Sequence, residues 1–506
     1  MGYGRQYAWH TAVTVASTVI TGALFYILRI VLYDNRLTPE EYGLYYSVYA
    51  FAMMVQPIVS FGFDPGLVPH ITQFREENDP SGIKNVAVGS MLVQLAFAAC
   101  CGLLALAAIP GLQHYFPAHP ELGILVLIFA LHAAGVVVFK VGQQFFLGMQ
   151  ALVWRNVADI VRAVVCVSAA LLLAGKAIDR EASLMSGVRG AALAYLFAAG
   201  GAIAVQALGF AISFPGVLRA KFHWRPELVK RAFSGGKYLS LAFGGIAVFS
   251  SLDTVMITIV RGDLLEVAAF QIALPTAMII YSLLTAAGLS FLPMARTLWV
   301  RDERELLADG ISRMYEAACA TVIVGGVLMA AFSDVLMRFL FGKEIMNAPE
   351  AFNILAIAGV FYFLAYLNLH ILAGIGRARA AAIVVIAALA LDLVLDPPLI
   401  YFLGIQGAAL ASFIGYLAAT ILGFRAIRAE LPVIMPWKTI GAASALACIC
   451  WYICHLFRST SVFTEGGILS AAGAGAVLLA GSTLALELTG CTRLRELARV
   501  VAPRRK

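Results

Sequence analysis

Val188-Arg-Gly-Ala-Ala-Leu-Ala194 returns as Ile405-Gln-Gly-Ala-Ala-Leu-Ala411. Each copy opens an apolar stretch long enough to cross a bilayer, residues 189 to 214 and 407 to 427, and each stretch is the sixth of its half. Weaker echoes keep a similar offset: Glu41-Tyr-Gly-Leu-Tyr45 with Glu266-Val-Ala-Ala-Phe270, Val68-Pro69 with Leu292-Pro293, and Leu147-Gly148 with Ala373-Gly374. Gly-Ala-Ala strings also arise by chance in an alanine-rich chain, but matched positions along the span order favour a duplication. An even number of spans per copy keeps both copies in the same orientation, so the halves are parallel with a cavity between them.

Composition leads to the same class. The 506 residues are 61% hydrophobic and 13% charged, with a mean hydropathy of +0.88. Soluble domains carry roughly 25% charge, so lipid must be the solvent for much of this surface. Expected spans are 8 to 33, 43 to 63, 85 to 110, 121 to 147, 155 to 175 and 189 to 214. They continue as 232 to 260, 267 to 293, 311 to 341, 351 to 374, 380 to 403, 407 to 427, 438 to 457 and 467 to 488. The longest polar stretches, Asp64 to Asn85, Pro215 to Arg231 and Met294 to Arg313, hold at most a short interfacial helix. The first span is too long for a signal peptide and no small-residue cleavage site follows it.

The fold class is therefore an all-α membrane protein of about fourteen transmembrane helices, each of roughly 20 residues to cross the hydrocarbon. It comprises two parallel six-helix repeats around a central cavity plus two C-terminal helices. Expected domains are an N-terminal lobe, 1–231, a C-terminal lobe, 232–430, and two extra helices with a basic tail, 431–506.

Most of the 36 Lys and Arg residues fall on alternate connections, among them Lys84, Arg219, Lys221, Arg225, Lys230, Arg231, Arg301, Arg377 and Arg428. The opposite connections hold few, such as Arg36, Lys176, Arg180 and Arg261. Basic residues are retained on the cytoplasmic side, so both termini are expected there and the location is the cell membrane. The net charge of +7 reflects this sidedness and contact with membrane lipids, not nucleic acid. Cys450 and Cys454 share a helical face beside His455, but two thiols and one imidazole make a poor metal site and buried inert thiols are expected. No cofactor motif is present, and Gly235-Gly-Lys237 is followed by Tyr238 where a nucleotide-binding loop needs Ser or Thr.

Several of these residues resemble one family. Leu37-Thr-Pro-Glu-Glu-Tyr-Gly-Leu-Tyr45 and Phe61-Gly-Phe-Asp-Pro-Gly-Leu-Val68 resemble the acidic Tyr-Gly turn and the glycine-rich end of span 2 in the polysaccharide and oligosaccharide flippases. These belong to the multidrug/oligosaccharidyl-lipid/polysaccharide exporter superfamily. Leu252-Asp253, Leu292-Pro293 and Gly404-Ile-Gln-Gly-Ala-Ala409 look like its second-half pattern, in order over the whole chain. Val267-Ala-Ala-Phe270 departs from the usual Gly-x-Tyr, and Asp392 and Asp396 stand where such proteins more often carry Asn. The resemblance implies a carrier that flips a polyprenyl-diphosphate-linked oligosaccharide for polysaccharide biosynthesis, with polymerase and export machinery as partners. It implies no covalent catalysis, so the chain is not expected to be an enzyme.

A hydrated diphosphate glycan needs a polar, cationic route through hydrocarbon. Arg29, Lys140, Arg162 and Lys237 are therefore candidate substrate-binding residues. At about 100° per residue, Arg29 shares a face with Thr11, Thr14 and Thr18, and Lys140 shares a stripe with His132, Gln143 and Gln144. The plainer alternatives are snorkelling to head groups, and for Arg162 an ion pair with Asp159. Asp253, Asp392 and Asp396 are candidate ion-coupling residues. Asp392 and Asp396 lie on one face, one turn before Pro397-Pro398, and form either a proton or Na⁺ site or an outer-end pair reached by water. Competing functions are a cation-coupled multidrug exporter, which needs an acidic or aromatic cavity, and a membrane-embedded glycan polymerase, which needs a large outer loop or a catalytic cluster.

The span map is tested by reporter fusions. Those at Glu227 and in the tail should read cytoplasmic and one at Asp179 external; a cytoplasmic Asp179 removes both the map and the repeat.

Overall fold

The computed structural model describes residues 3–115, 121–175, 187–341, 348–457 and 467–488, and all regular structure among them is helical. Asp179 and the basic tail lie outside the described residues. The chain forms two compact units, Met1–Ala268 and Ala269–Lys506.

The first unit contains α1 (Tyr3–Val31), continued by a π turn over Leu32–Arg36, then α2 (Pro39–Val59), α3 (Asp64–Glu76), α4 (Pro80–Ala107) and α5 (Ile109–Tyr115). After these come α6 (Leu122–Gly148), α7 (Leu152–Leu173), α8 (Gly187–Ser213), α9 (Pro215–Arg219), α10 (Pro226–Arg261) and the first turn of α11 (Leu264–Val300). The second unit holds the rest of α11, α12 (Arg304–Ala331), α13 (Ser333–Phe341), α14 (Ala348–Gly374), α15 (Ala378–Leu403), α16 (Ile405–Arg428), α17 (Trp437–Phe457) and α18 (Gly467–Leu488).

Among the described residues, 11 helices are long and apolar enough to span a bilayer, or 12 when α2 and α3 count as one span bent by 43°. α11 and α18 occupy the places of the eighth and fourteenth expected spans, but their described apolar stretches, Leu264–Ile279 and Gly475–Glu487, are shorter than a full span. The polar stretches expected as connections are largely helical. α3 takes up most of Asp64 to Asn85, and α11 and α12 leave only residues 301–303 between them. The expected ninth span is broken at Phe332 into α12 and α13.

The Thr-Pro-Glu-Glu-Tyr-Gly motif has a local physical role. Thr38 caps α2, its hydroxyl accepting from the Glu41 amide at 3.3 Å while the Glu41 carboxylate accepts from the Thr38 amide at 2.9 Å. This capping box satisfies backbone donors that the helix start leaves open, and Pro39 fixes the first turn. Gly43 lets α2 meet the first turn of α11, since a Cβ there would lie 1.9 Å from the Leu264 carbonyl oxygen. The break after α2 is made by Gly62 at φ +80°, a left-handed conformation that a side chain disfavours.

The two copies of the repeated motif do the same work in their own units. A Cβ on Gly190 of α8 would lie 2.2 Å from the Leu173 carbonyl oxygen of α7, and one on Gly407 of α16 would lie 2.0 Å from the Leu399 carbonyl oxygen of α15. Ala191, Ala192, Ala408 and Ala409 beside them are buried. Small residues at these places let helices approach to backbone contact, the main source of association where lipid is as apolar as the side chains.

Gly190→Ala and Gly407→Ala should each cost about 1–3 kcal/mol, because the carbonyl they strike is backbone and cannot rotate away. Gly235→Ala, with open space around it, should be neutral. Melting temperatures of the purified protein in detergent check this, and a shift confined to one motif would separate the two copies.

Candidate functional site

α2 carries Tyr42, Tyr45, Tyr46 and Tyr49 at i, i+3, i+4 and i+7, one face of the helix. That face turns into the first unit. Tyr42 and Tyr46 have ring centroids 4.5 Å apart, Tyr45 and Tyr46 4.8 Å, and Tyr49 and Tyr195 of α8 5.2 Å. Phe129 of α6 packs 5.8 Å from both Tyr45 and Tyr49, and His132 packs 5.5 Å from Tyr195. The hydroxyls of Tyr42, Tyr45 and Tyr46 and the His132 Nδ1 are buried without a hydrogen-bond partner.

Two guanidinium groups meet this aromatic cluster. Arg29 of α1 lies over the Tyr46 ring at 4.5 Å. Arg162 of α7 lies 5.1 Å from the Phe25 ring and 5.0 Å from Phe139, with Phe25 stacked on Tyr195 at 6.1 Å. Arg162 also pairs with Asp159 at 3.5 Å, as the spacing allowed. An arginine on an aromatic face is held there by the attraction between its charge and the ring. The structure thus gathers Arg29, His132 and Arg162, which the sequence scattered over three helices.

Other candidates are engaged elsewhere. Lys140 Nζ is 3.0 Å from Asp64 Oδ2 at the start of α3, so its charge is neutralised across the bend in the second span. Gln143 exchanges hydrogen bonds with Arg155: its Nε2 donates to the Arg155 carbonyl at 3.1 Å, and Arg155 Nε donates to its Oε1 at 3.0 Å. Gln144 is half-buried on the same helix. The threonine stripe beside Arg29 serves packing, for the Thr14 hydroxyl accepts from Asn156 Nδ2 at 3.3 Å and Thr18 donates to the Thr14 carbonyl. The Thr11 side chain lies outside the described residues. Lys237 Nζ sits 5.0 Å over Tyr238, three turns into α10, which runs unbroken through Gly244-Gly245. Lys237 and Asp253 therefore stay on nearly opposite sides of that helix.

Asp253 is fully buried in the first unit. In the second, Asp392 and Asp396 of α15 are likewise fully buried, with carboxylate oxygens within 4.8 Å of each other. All four of their oxygens lack a hydrogen-bond partner. Two such carboxylates in a membrane span require a proton or a cation.

A separate cavity of about 280 Å³ lies on another face of α2, lined chiefly by apolar residues including Val48, Val55, Ala98, Val126 and Phe129. Phe129 thus belongs to both the aromatic cluster and this cavity wall.

The fold of this helical, multi-span chain, with arginines and paired carboxylates in its interior, is a known one. It is shared with the lipid II flippase MurJ in an inward closed conformation, at a TM-score of 0.70 and 13% identity over 95% of this chain and 100% of that one. It is shared also with an inward-facing multidrug resistance MATE family transporter of the MOP superfamily, at 0.62 and 18% over 83% and 98%. Among curated relatives, an uncharacterized membrane protein of Methanocaldococcus jannaschii is 24% identical over 422 residues, 81% of this chain and 80% of its own. The lipid II flippase MurJ of Bacillus subtilis is 29% identical over 154 residues, 30% and 28% of the two chains. Residues 9–299 match the profile of the polysaccharide biosynthesis protein family, and the chain belongs to that family.

The Lys140–Asp64 pair gives a stability prediction. Lys140→Met strands a half-buried carboxylate and should cost about 2 kcal/mol, while adding Asp64→Asn should recover most of it. Melting curves for the two single variants and the double variant decide; additive losses would mean the pair contributes no coupling.

Proposed function

We propose that the protein flips a polyprenyl-diphosphate-linked oligosaccharide across the cell membrane for polysaccharide biosynthesis, with both termini cytoplasmic. The observation that carries this reading is the placement of Arg29 and Arg162 on aromatic faces inside the first unit. Guanidinium groups suit a diphosphate, and the flat faces and hydroxyls of Tyr42, Tyr45, Tyr46, Tyr49 and Tyr195 suit sugar rings. The family's description as polysaccharide biosynthesis proteins and the likeness to a lipid II flippase support a lipid-linked glycan. His132 is the third polar member of this group. Lys140, Gln143, Gln144 and Lys237 are secondary, since Lys140 and Gln143 bond to Asp64 and Arg155, away from the aromatic faces.

Transport follows alternating access of two parallel lobes, residues 1–231 and 232–430, each conformation binding the cargo with different affinity. Flipping forms and breaks no covalent bond. The buried Asp392–Asp396 pair is the coupling site, taking up a proton or a sodium ion in one conformation and releasing it in the other. Polymerase and export machinery would take the glycan on the far side.

The second reading is a cation-coupled multidrug exporter, favoured by the apolar cavity in the first unit and the likeness to a MATE transporter. One experiment separates them: complementation of glycan export in a flippase-null strain, beside drug resistance in an exporter-null strain. Arg29→Gln should lower glycan export roughly 10-fold at unchanged membrane abundance, the loss of one charge-assisted contact of about 1.5–3 kcal/mol. Asp392→Asn with Asp396→Asn should abolish dependence on the ion gradient. Wild-type drug resistance without glycan export, or full export by Arg29→Gln, overturns the flippase reading.

A further inference from the structure

The connection between α8 and α10 is fastened by α4. Lys84 Nζ donates to the carbonyl oxygens of Leu218 at 2.6 Å and Ala220 at 2.8 Å. The Asn85 side-chain oxygen accepts from the His223 amide at 2.8 Å. Phe214 and Val217 pack against the apolar cluster of Leu67, Ile71, Phe145 and Phe146. Residues 214–223 are therefore a fixed strap across the end of α4.

The strap presents a surface of mixed character. Leu218, Phe222 and Trp224 are 48%, 38% and 52% exposed. Arg219, Lys221, Arg225, Lys230 and Arg231 are exposed beside them, and none is in an ion pair among the described residues. Glu227 is the only acid between Ser213 and Arg231. Gly187–Ser213 and Pro226–Arg261 both qualify as spans, so the strap between them has to lie at a membrane surface. Large aromatic side chains settle at the head-group level of a bilayer, while cations attract acidic head groups. A soluble acidic partner would account for the cations but not for three large apolar side chains exposed beside them at the bilayer edge.

We infer that residues 214–231 form a binding site for an anionic phospholipid, with Arg219, Lys221 and Arg225 on its phosphate and Phe222 and Trp224 at its ester region. The fixing of the strap by Lys84 and Asn85 means the cations are pre-placed, so the lipid is bound as a resident ligand and not as cargo. The site stands whatever the protein carries.

The test uses the full-length protein in bilayers of phosphatidylcholine containing brominated phosphatidylglycerol or brominated phosphatidylcholine at equal mole fraction. Bromine quenches nearby tryptophan, and subtraction of Trp224→Phe isolates the Trp224 signal. Trp224 should be quenched several-fold more by the anionic lipid, and added salt should erase the difference. Each basic residue near such a surface contributes roughly fivefold in binding, so Arg219→Gln with Lys221→Gln and Arg225→Gln should abolish the preference. Lys84→Met keeps these cations but releases the strap, and should reduce the preference as well. An unchanged melting temperature shows that the triple variant folds, and a single cooperative melting transition shows it for Lys84→Met. Equal quenching by the two lipids, or a preference that survives the triple substitution, overturns the inference, as does a Trp224 that neither lipid quenches.

Discussion

Gly190 and Gly407 stand within van der Waals contact of a neighbouring helix's carbonyl, and most of the architecture follows from such contacts. In water the hydrophobic effect would drive these helices together; in lipid it does not, so association rests on how closely two backbones fit. Gly66 and Gly236 show the same need, for their Cβ atoms would lie 1.9 Å and 2.0 Å from the carbonyls of Ala232 and Gly62. The interior is accordingly rich in alanine and glycine at these close approaches, and large side chains fill the spaces between them. Many others point outward, such as Leu103, Leu172 and Phe402.

Close packing leaves little room for polar groups, and some of those inside the second unit are committed to one another. Tyr315 donates to Asn368, whose amide donates to the Thr420 carbonyl at 3.0 Å, while the Thr420 hydroxyl donates to the Phe361 carbonyl at 2.8 Å. That chain of bonds is complete and structural. The tyrosine face of α2 and the Asp392–Asp396 pair differ because buried oxygens there lack partners. An unmet polar atom in hydrocarbon is costly, and these two groups each gather several of them.

The helical class and most of the spans were legible because hydropathy is a local signal, while 11 or 12 of about fourteen expected spans are long and apolar enough among the described residues. The site was legible only in part. Arg29, His132 and Arg162 were visible as charged or polar residues in apolar stretches, yet their shared neighbourhood depends on how α1, α6 and α7 pack. The tyrosines were missed although their i, i+3, i+4, i+7 spacing was open to view, because aromatic residues in a membrane chain ordinarily read as filling. The pairing of Lys140 was not legible for the opposite reason. Its partner Asp64 lies 76 residues away and beyond a bend, and no periodicity on α6 predicts that pairing.

The bend after α2 bears on how the chain enters the membrane. Its hydrogen bonds are not lost at the turn: Phe61 donates to Ile58, Phe63 to Ser60 and Leu67 to Phe63, at 3.3, 3.1 and 2.9 Å. These bonds run within the segment, so part of the turn is held locally. The insertion machinery would then receive this segment already folded as two half-rods, and α3 could settle at the interface while α2 crosses, before α10 has been synthesised to pack against it.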